Sequence, residues 1–332
     1  MRPAKGSLEL VCPAGTPAAL DAAVAAGADT VYCGFNDETN ARNFPGLNFS
    51  RAELAGSIAR AHARGCNVLV AINTFPRAGD IDLWHRAIAD AETAGADAVI
   101  LADLGLLAHA REKHPDLRLH LSVQAAAANP DAIQFYVKQF GVERVVLPRV
   151  VTVDEIAAIH REIACETEVF VFGGLCVMAE GRCLLSSYAT GKSPNMHGAC
   201  SPAGCISYRE EGSTFVSRLG EFTINRVTKG EPAAYPTLCK GRFVIDGKAT
   251  HVFEDPASLD ASQLLPGLKA AGVKALKIEG RQRSRAYADA VVKAFRQAVD
   301  ALDRGLEIRA GALAALTEGG ATTGGAYRKT WR

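Results

Sequence analysis

Short apolar runs alternate with longer amphipathic stretches through the first half of the chain, and each stretch ends at Gly or Pro. The first run, "LELVCPAG", precedes "TPAALDAAVAAG", in which Thr16 can cap a helix that has Pro at its first position. Similar pairs follow from the runs "ADTVYCGF", "CNVLVAINTF", "ADAVILAD", "LRLHLSVQA" and "VERVVLPR". The pattern predicts six strand–helix units before residue 165.

Two further units are predicted beyond that point. "TEVFVFGG" indicates a seventh strand and "SLDASQLLPGLKAAG" its helix, and "VKALKIEG" is followed by the helical stretch "SRAYADAVVKAFRQAVDALDRG". Strands rich in Val, Ile and Leu are typical of a parallel sheet covered on both faces, and eight units favour an α/β fold of the (β/α)8 barrel type. The alternative is an open, doubly wound sheet. We expect a single barrel-like domain over residues 1–332.

A region of about 80 residues, 175–258, interrupts the seventh unit. It has little helical periodicity, and "GEFTINRV" and "RFVIDGKATHVFE" are typical of strands. An insertion after a barrel strand emerges at the carboxyl-terminal face, where barrel enzymes carry their active sites. The last residues, from 309 on, are rich in Gly and Thr and are expected to be irregular.

Charge and cysteine content narrow the function. Thirty-seven Lys and Arg balance 36 Asp and Glu, so bulk binding of nucleic acid is not expected. No apolar run reaches the ~18 residues of a transmembrane helix, and we expect a cytoplasmic protein. In that compartment, nine partly clustered cysteines indicate metal or redox chemistry before disulfides.

Four cysteines, Cys176, Cys183, Cys200 and Cys239, could form one site. The intervals between them, six, sixteen and thirty-eight residues, lack the C-x2-C pair that structural zinc prefers, whereas iron–sulfur clusters accept irregular spacing. A cluster is favoured, and zinc or no metal remain open. Cys205 is a spare candidate. Nearby glycines that would let the backbone approach a cluster are Gly173, Gly174, Gly181 and Gly198. Cysteines expected to be plain buried thiols are Cys12, Cys33, Cys66 and Cys165.

Polar residues that follow the predicted strands are candidates to face a substrate, because the carboxyl ends of barrel strands form the catalytic edge. They are Asn73, Asp103, Gln124, Arg149, Glu279 and Arg281. Arg149 and Arg281 could clamp a carboxylate by paired hydrogen bonds, or form salt bridges that close the barrel mouth. The long polar loop after the second strand adds Asn40, Arg42 and Asn48. The catalytic candidates among these are Arg149, Glu279 and Arg281.

The stretch "EVFVFGGLCVMAEGRCLLSSY" resembles the signature of the collagenase-like peptidase family, with Gly174 where the signature usually has Ser or Ala. Collinear motifs include "DETNARNFPGLNF", "RVVLPRV", "SPNMHGACSPA", "YPTLCKGR" and "KIEGRQRS". The resemblance covers essentially the whole chain. Within the family it is strongest to members that act in oxygen-independent ubiquinone biosynthesis.

This resemblance implies a 4Fe-4S cluster on Cys176, Cys183, Cys200 and Cys239, with Cys205 outside the pattern. It also implies a heterodimer with a UbiV-like protein, and O2-independent hydroxylation of the aromatic ring of ubiquinone precursors, with prephenate as the associated oxygen donor. Family relatives hydroxylate RNA bases, so RNA modification is an alternative, although the near-neutral charge weighs against it. A third reading is a cysteine peptidase, and neither H-E-x-x-H nor G-x-S-x-G occurs in the chain.

Overall fold

The computed structural model describes residues 8–197, 199–231, 233–308, 313–317 and 320–328. The strands are β1 (Glu9–Pro13), β2 (Thr30–Gly34), β3 (Asn67–Ile72), β4 (Ala98–Leu101), β5 (Arg118–Leu121), β6 (Arg144–Val146), β7 (Glu166–Gly174), β8 (Ile206–Glu211), β9 (Thr214–Leu219), β10 (Phe222–Thr228), β11 (Arg242–Ile245), β12 (Lys248–His251), β13 (Ser258–Asp260), β14 (Ala275–Ile278) and β15 (Thr322–Thr323). The α-helices are α1 (Pro17–Ala25), α2 (Arg51–His62), α3 (Asp82–Thr93), α4 (Leu104–Lys113), α5 (Pro130–Phe140), α6 (Val153–Glu162), α7 (Leu185–Thr190), α8 (Pro194–His197), α9 (Leu265–Ala270) and α10 (Arg285–Asp303).

Eight parallel strands close into a barrel. Strands β1 to β7 pair in chain order, and β14 pairs in parallel with both β1 and β7. The flanking helices are α1 to α6, α9 and α10. The predicted (β/α)8 barrel is therefore confirmed, and the open-sheet alternative is wrong because β14 leaves no free edge between β1 and β7.

Helix starts follow the predicted capping chemistry. The Thr16 hydroxyl accepts a hydrogen bond from the backbone N–H of Ala19 at 3.1 Å, and Pro17 begins α1. Ser50 and Glu53 form a reciprocal capping box at the start of α2. These side chains satisfy N–H groups that lack partners within the helix, which is why the sequence marks the boundaries clearly.

The barrel interior is layered. An apolar belt lies inside the strands and is formed by Val11, Tyr32, Leu69, Ala71, Ala98, Ile100 and Ala275. Towards the amino-terminal ends of the strands, Arg144 contacts three carboxylates, those of Glu9 at 2.6 Å, Glu166 at 2.6 Å and Glu168 at 3.2 Å. Glu168 also binds Lys277 Nζ at 2.6 Å. The interior therefore carries a buried ionic network on the side opposite the predicted active face.

The region after β7 contains short helices and small antiparallel sheets. Strands β8, β9 and β10 form one sheet, and β11 and β12 form a hairpin, as "GEFTINRV" and "RFVIDGKATHVFE" predicted. The start of "SLDASQLLPGLKAAG" is not helical, because Ser258 and Leu259 pair as β13 with the end of β7, and helix α9 begins only at Leu265.

The described part of the carboxyl-terminal tail, expected to be irregular, contributes β15, which pairs with β13. The Tyr327 hydroxyl donates to the Phe170 carbonyl at 2.7 Å. Residues 309–312, 318–319 and 329–332 lie outside the described residues. Within the described ranges, no helix has the length and apolar character needed to cross a membrane.

Replacing Arg144 with Met should destabilise the barrel by about 3–5 kcal/mol, because it leaves Glu9 and Glu168 buried without this cation. Urea denaturation would measure the loss. Arg118 is the surface control: its pair with Glu143 is exposed and its contact with Glu166 is longer, at 3.7 Å, so Arg118→Met should cost at most about 1 kcal/mol. Equal losses in the two variants would contradict a stabilising role for the buried network.

Candidate active site

A cavity of about 60 Å³ opens at the barrel mouth, at the carboxyl ends of the strands. Its polar and aromatic lining includes Tyr32, Arg42, Asn73, Ser122, Gln124, Arg149, Phe170, Glu180, Lys277, Glu279, Arg281 and Gln282. Five of the six predicted strand-end residues are in this set. The exception is Asp103, whose carboxylate accepts the Leu106 N–H and caps α4.

Strand β14 and the residues directly after it supply three of the charged groups. Side chains alternate across a strand, so Lys277 in β14 and the following Glu279 and Arg281 all reach the cavity. Glu279 and Arg281 were predicted to face a substrate and Lys277 was not, although the alternation K-x-E-x-R in the sequence was a visible signal.

Arg149 is buried and held from two sides. Its Nη1 donates to Glu180 Oε1, and its guanidinium lies 3.5 Å from the centroid of the Phe170 ring. Burial alone would lower the pKa of Arg149, but Glu180 and Glu279 raise it above the ordinary value, so the side chain remains charged. Glu180 was not among the sequence candidates, because its pairing depends on how the cysteine-bearing segment folds back.

Arg281 is held by the loop after β2. Its Nη1 donates to Asn40 Oδ1 at 2.6 Å, and its guanidinium lies 5.4 Å from the Tyr32 ring centroid. Burial lowers the pKa of Arg281 to about 10, which leaves the group charged at neutral pH. Asn48 Nδ2 donates to the Arg42 carbonyl at 2.8 Å and helps to fix the same loop.

Glu279 joins β14 to the segment that follows β7. Its Oε2 accepts the Gly174 N–H at 2.6 Å, and its Oε1 lies 3.7 Å from Arg42 Nε. Burial would raise the pKa of Glu279, but Arg149 and Arg42 together lower it below its ordinary value. The carboxylate is therefore ionised and orients both the turn and Arg42.

The net positive charge of the cavity matches an anionic ligand, and its unpaired acceptor oxygens require a hydrogen-bond donor such as a hydroxyl group or water. Four cationic and two acidic side chains line it, so the lining has an excess of two positive charges. Glu168, which lies outside the lining, pairs with Lys277 and offsets one of them. Within the described residues, four buried polar atoms of the lining have no hydrogen-bond partner: the donor Arg149 Nε and the acceptors Gln124 Oε1, Glu180 Oε2 and Gln282 Oε1. Such atoms are costly to bury unless a ligand or water binds them.

The cysteine-bearing segment packs directly on this cavity. Gly181 has a positive φ of 81°, and a Cβ at that position would lie 1.9 Å from the Gln124 carbonyl oxygen. At Gly173, with φ of 119°, a Cβ would lie 2.8 Å from Glu279. Glycine is required at both positions by contacts with the barrel; the predicted role of these glycines beside a cluster stays a prediction, and Gly198 lies outside the described residues.

The four predicted ligand thiols are electrostatic neighbours. Cys176 interacts with Cys200, Cys200 with Cys183, and Cys239 with both Cys200 and Cys183. Cys176 is also within range of Arg149 and Glu180, and Cys200 within range of Arg42 and Glu279. The thiols therefore lie beside the charged cavity.

Burial is the main cause that raises the pKa of three of these thiols, Cys176, Cys200 and Cys239, the last to about 11. Cys200 is exposed as a residue, but the surrounding protein reduces the hydration of its sulfur atom. No three His, Cys, Asp or Glu side chains of the described residues stand at metal-binding distance of one another. Four neighbouring thiols are a suitable ligand set for a metal group that binds thiolates. The sulfur atoms would have to move closer together to bind it.

The other cysteines lie apart from this group. Cys12, Cys33, Cys66 and Cys165 are buried, and burial raises the pKa of each thiol. They are located in or next to the barrel strands, as expected for buried thiols.

The model of peptidase family U32 matches residues 15–323. The chain belongs to this family. The U32 chain is 34% identical over 320 residues to the tRNA hydroxylation protein P of Haemophilus influenzae, across 88% of this chain and 67% of that protein. It is 30% identical over 298 residues to the 23S rRNA 5-hydroxycytidine C2501 synthase of Escherichia coli, across 89% of this chain and 40% of that protein.

Among solved structures, the U32 peptidase Mk0906 is similar with a TM-score of 0.43 and 20% identity, over 51% of this chain and 71% of that chain. The family model confirms the family resemblance inferred from the motifs, and the finer resemblance to members that act in ubiquinone biosynthesis stays a prediction. The U32 chain spans about two thirds of the length of the first relative and less than half of the second.

Replacing Gly181 with Ala should loosen the cysteine-bearing segment from the barrel, because the new Cβ would collide with the Gln124 carbonyl. We expect a local cost of about 2 kcal/mol or more, measured as at least about tenfold faster limited proteolysis within residues 175–258. Gly204 is the control, since a Cβ there meets nothing within 4 Å. Unchanged cleavage in Gly181→Ala would show that this contact does not hold the segment.

Proposed function

We propose that this chain is the iron–sulfur subunit of an O2-independent hydroxylase that acts on the aromatic ring of ubiquinone precursors together with a UbiV-like partner. The observation that carries the proposal is the group of four thiols beside a buried, positively charged cavity. Hydroxylation is supported by the U32 relatives named for hydroxylation of tRNA and rRNA. The ubiquinone substrate rests on the resemblance of the motifs to UbiU.

Cys176, Cys183, Cys200 and Cys239 would hold a 4Fe-4S cluster. Four thiolates are the usual ligand set of such a cluster, and irregular spacing is compatible with ligands that come from loops. The cluster would supply one-electron transfer next to the cavity. Arg149 and Arg42 would stabilise the thiolates electrostatically, because both lie within range of the cysteines.

The cavity would bind a carboxylate-bearing oxygen donor, with prephenate as the compound implied by the resemblance. Arg149 keeps its Nε–H for a ligand while its Nη1 is held by Glu180. Arg281 adds a second fixed positive charge, and Glu279 orients Arg42. Preorganised cations in a buried site bind an anion without the cost of reorienting water.

RNA base hydroxylation is the second candidate, favoured by the U32 relatives that are named for hydroxylation of tRNA and rRNA. RNA hydroxylation would use the same cavity and thiols as hydroxylation of a ubiquinone precursor. The two functions would differ in the protein surface that binds the substrate. A cysteine peptidase fits less well, because burial raises the pKa of three of the four thiols and disfavours the nucleophilic thiolate. In the described residues, the hydrogen bonds of Cys176 and Cys239 involve no histidine.

Protein purified without oxygen should contain about four iron and four sulfide per chain and absorb visible light. Replacing any of the four ligand cysteines with Ser should lower the iron content and bleach the spectrum. Cys205→Ser is the matched control and should retain both. A colourless protein that binds zinc, or no metal, after anaerobic handling would refute the cluster.

Cells that lack this chain should fail to make ubiquinone under anaerobic conditions and should recover with the wild-type or the Cys205→Ser chain, but not with Cys239→Ser. Liquid chromatography of quinones and of hydroxylated nucleosides from the same cells would separate the candidates. Loss of hydroxylated nucleosides with normal ubiquinone would favour RNA modification. Peptide cleavage by metal-free protein, blocked by a thiol reagent, would favour the peptidase.

A further inference from the structure

A continuous series of buried ion pairs crosses the barrel interior and ends at the cavity. Glu9 and Glu168 both bind Arg144, and Glu168 binds Lys277 Nζ at 2.6 Å. Lys277 lines the cavity, whereas the other three side chains do not. The side chain of Lys277 is 5% exposed and that of Glu168 is fully buried. Lys277 is therefore the point at which the ionic network meets the cavity.

The hydrogen bonds of Lys277 leave a donor for a ligand. An ammonium group has three N–H donors, and within the described residues Lys277 has one hydrogen bond, to Glu168. Its Nζ also lies 3.7 Å from the Tyr32 ring centroid, so the ring face stabilises the charge without accepting a conventional hydrogen bond.

The neighbouring cations are also held by protein partners, and Arg149 Nε, like Lys277 Nζ, keeps a donor for a ligand. Arg149 is held by Glu180, Arg281 by Asn40, and Arg42 faces Glu279. Stability alone does not account for a buried lysine at this position, because replacing a buried ion pair with well-packed apolar residues is often neutral or stabilising. An anionic ligand that binds the ammonium group would explain why a buried lysine is present at this position.

We propose that the Lys277 ammonium donates a hydrogen bond to a carboxylate oxygen of the small anion that occupies the cavity, while Glu168 and Tyr32 hold the ammonium in place. Lys277 is then a ligand-binding residue in addition to the arginines. This inference rests on the proposed function, in which a carboxylate-bearing donor binds at the barrel mouth. Burial lowers the pKa of Lys277, and the Glu168 carboxylate opposes that shift and favours the charged form.

The test is calorimetric titration of prephenate into the anaerobically purified wild-type protein and three variants. Lys277→Met keeps similar volume without charge and should weaken binding about tenfold to a hundredfold, the usual range for a lost charge-assisted hydrogen bond. Lys277→Arg keeps the charge in a bulkier side chain and should lose less. Lys113→Met, on the exposed face of α4, is the control and should bind as the wild type does.

The order of the variants separates charge from packing. A packing role predicts that Met preserves binding and the larger Arg disrupts it, and that order would overturn the inference while leaving the donor site intact. A wild-type protein that binds no prephenate would overturn both this inference and the proposed donor. If Lys277→Met does not fold, as judged by thermal melting, Lys277→Gln takes its place, since its amide can still bind Glu168.

Discussion

The pairing of β7 with β14 is the constraint on which the rest of the structure depends. These two strands are separated by 100 residues, and their parallel hydrogen bonds close the barrel. Closure brings the carboxyl ends of all eight strands to one rim and places Lys277 and Glu279 beside Arg149. Because β7 continues directly into the segment of Cys176, the same pairing places Cys176 near Arg149 and Glu180, and the bond from Gly174 N–H to Glu279 helps to fix that segment.

Two polar regions lie on either side of an apolar belt in the barrel interior, and the ion pair between Lys277 and Glu168 links them. On one side, Arg144 and its carboxylates are almost completely satisfied by one another; on the other, the cavity retains unpaired polar atoms within the described residues. Burying a charge costs free energy unless partners compensate it, so the completeness of pairing in each region indicates its role. The first is compatible with a structural role, and the second has the properties of a binding site.

Much of the fold could be predicted because the signals are local. Capping residues such as Thr16, terminal glycines and strand-length apolar runs mark each unit, and counting the units leads to the barrel. The strand-end rule also located Arg149, Glu279 and Arg281 in one cavity. It failed for Asp103, because a carboxylate at that position serves equally well as a helix cap.

What could not be predicted depends on contacts between distant segments. Glu180 pairs with Arg149 only because the chain turns back at Gly181, and spacing carries no information about that turn. Lys277 lies within an apolar run and was predicted only as part of a strand. Its spacing of two residues from Glu279 indicates that both side chains lie on the face that lines the cavity. The neighbourhood of Cys239 and Cys200 likewise depends on the small sheets between them. The identity of a bound group, the partner and the substrate remain predictions.

The strand pairs at the end of β7 have a consequence for the order of folding. Gly173 and Gly174 pair with β13, and β13 pairs with β15, so the base of the cysteine-bearing segment is secured by residues as late as Thr323. During synthesis, six strand–helix units emerge before any of these partners exists. Nascent chains would thus expose the thiols before their protein surroundings have formed, and non-local pairing of this kind is slow. Insertion of the proposed cluster would therefore be best timed after translation of the barrel is finished.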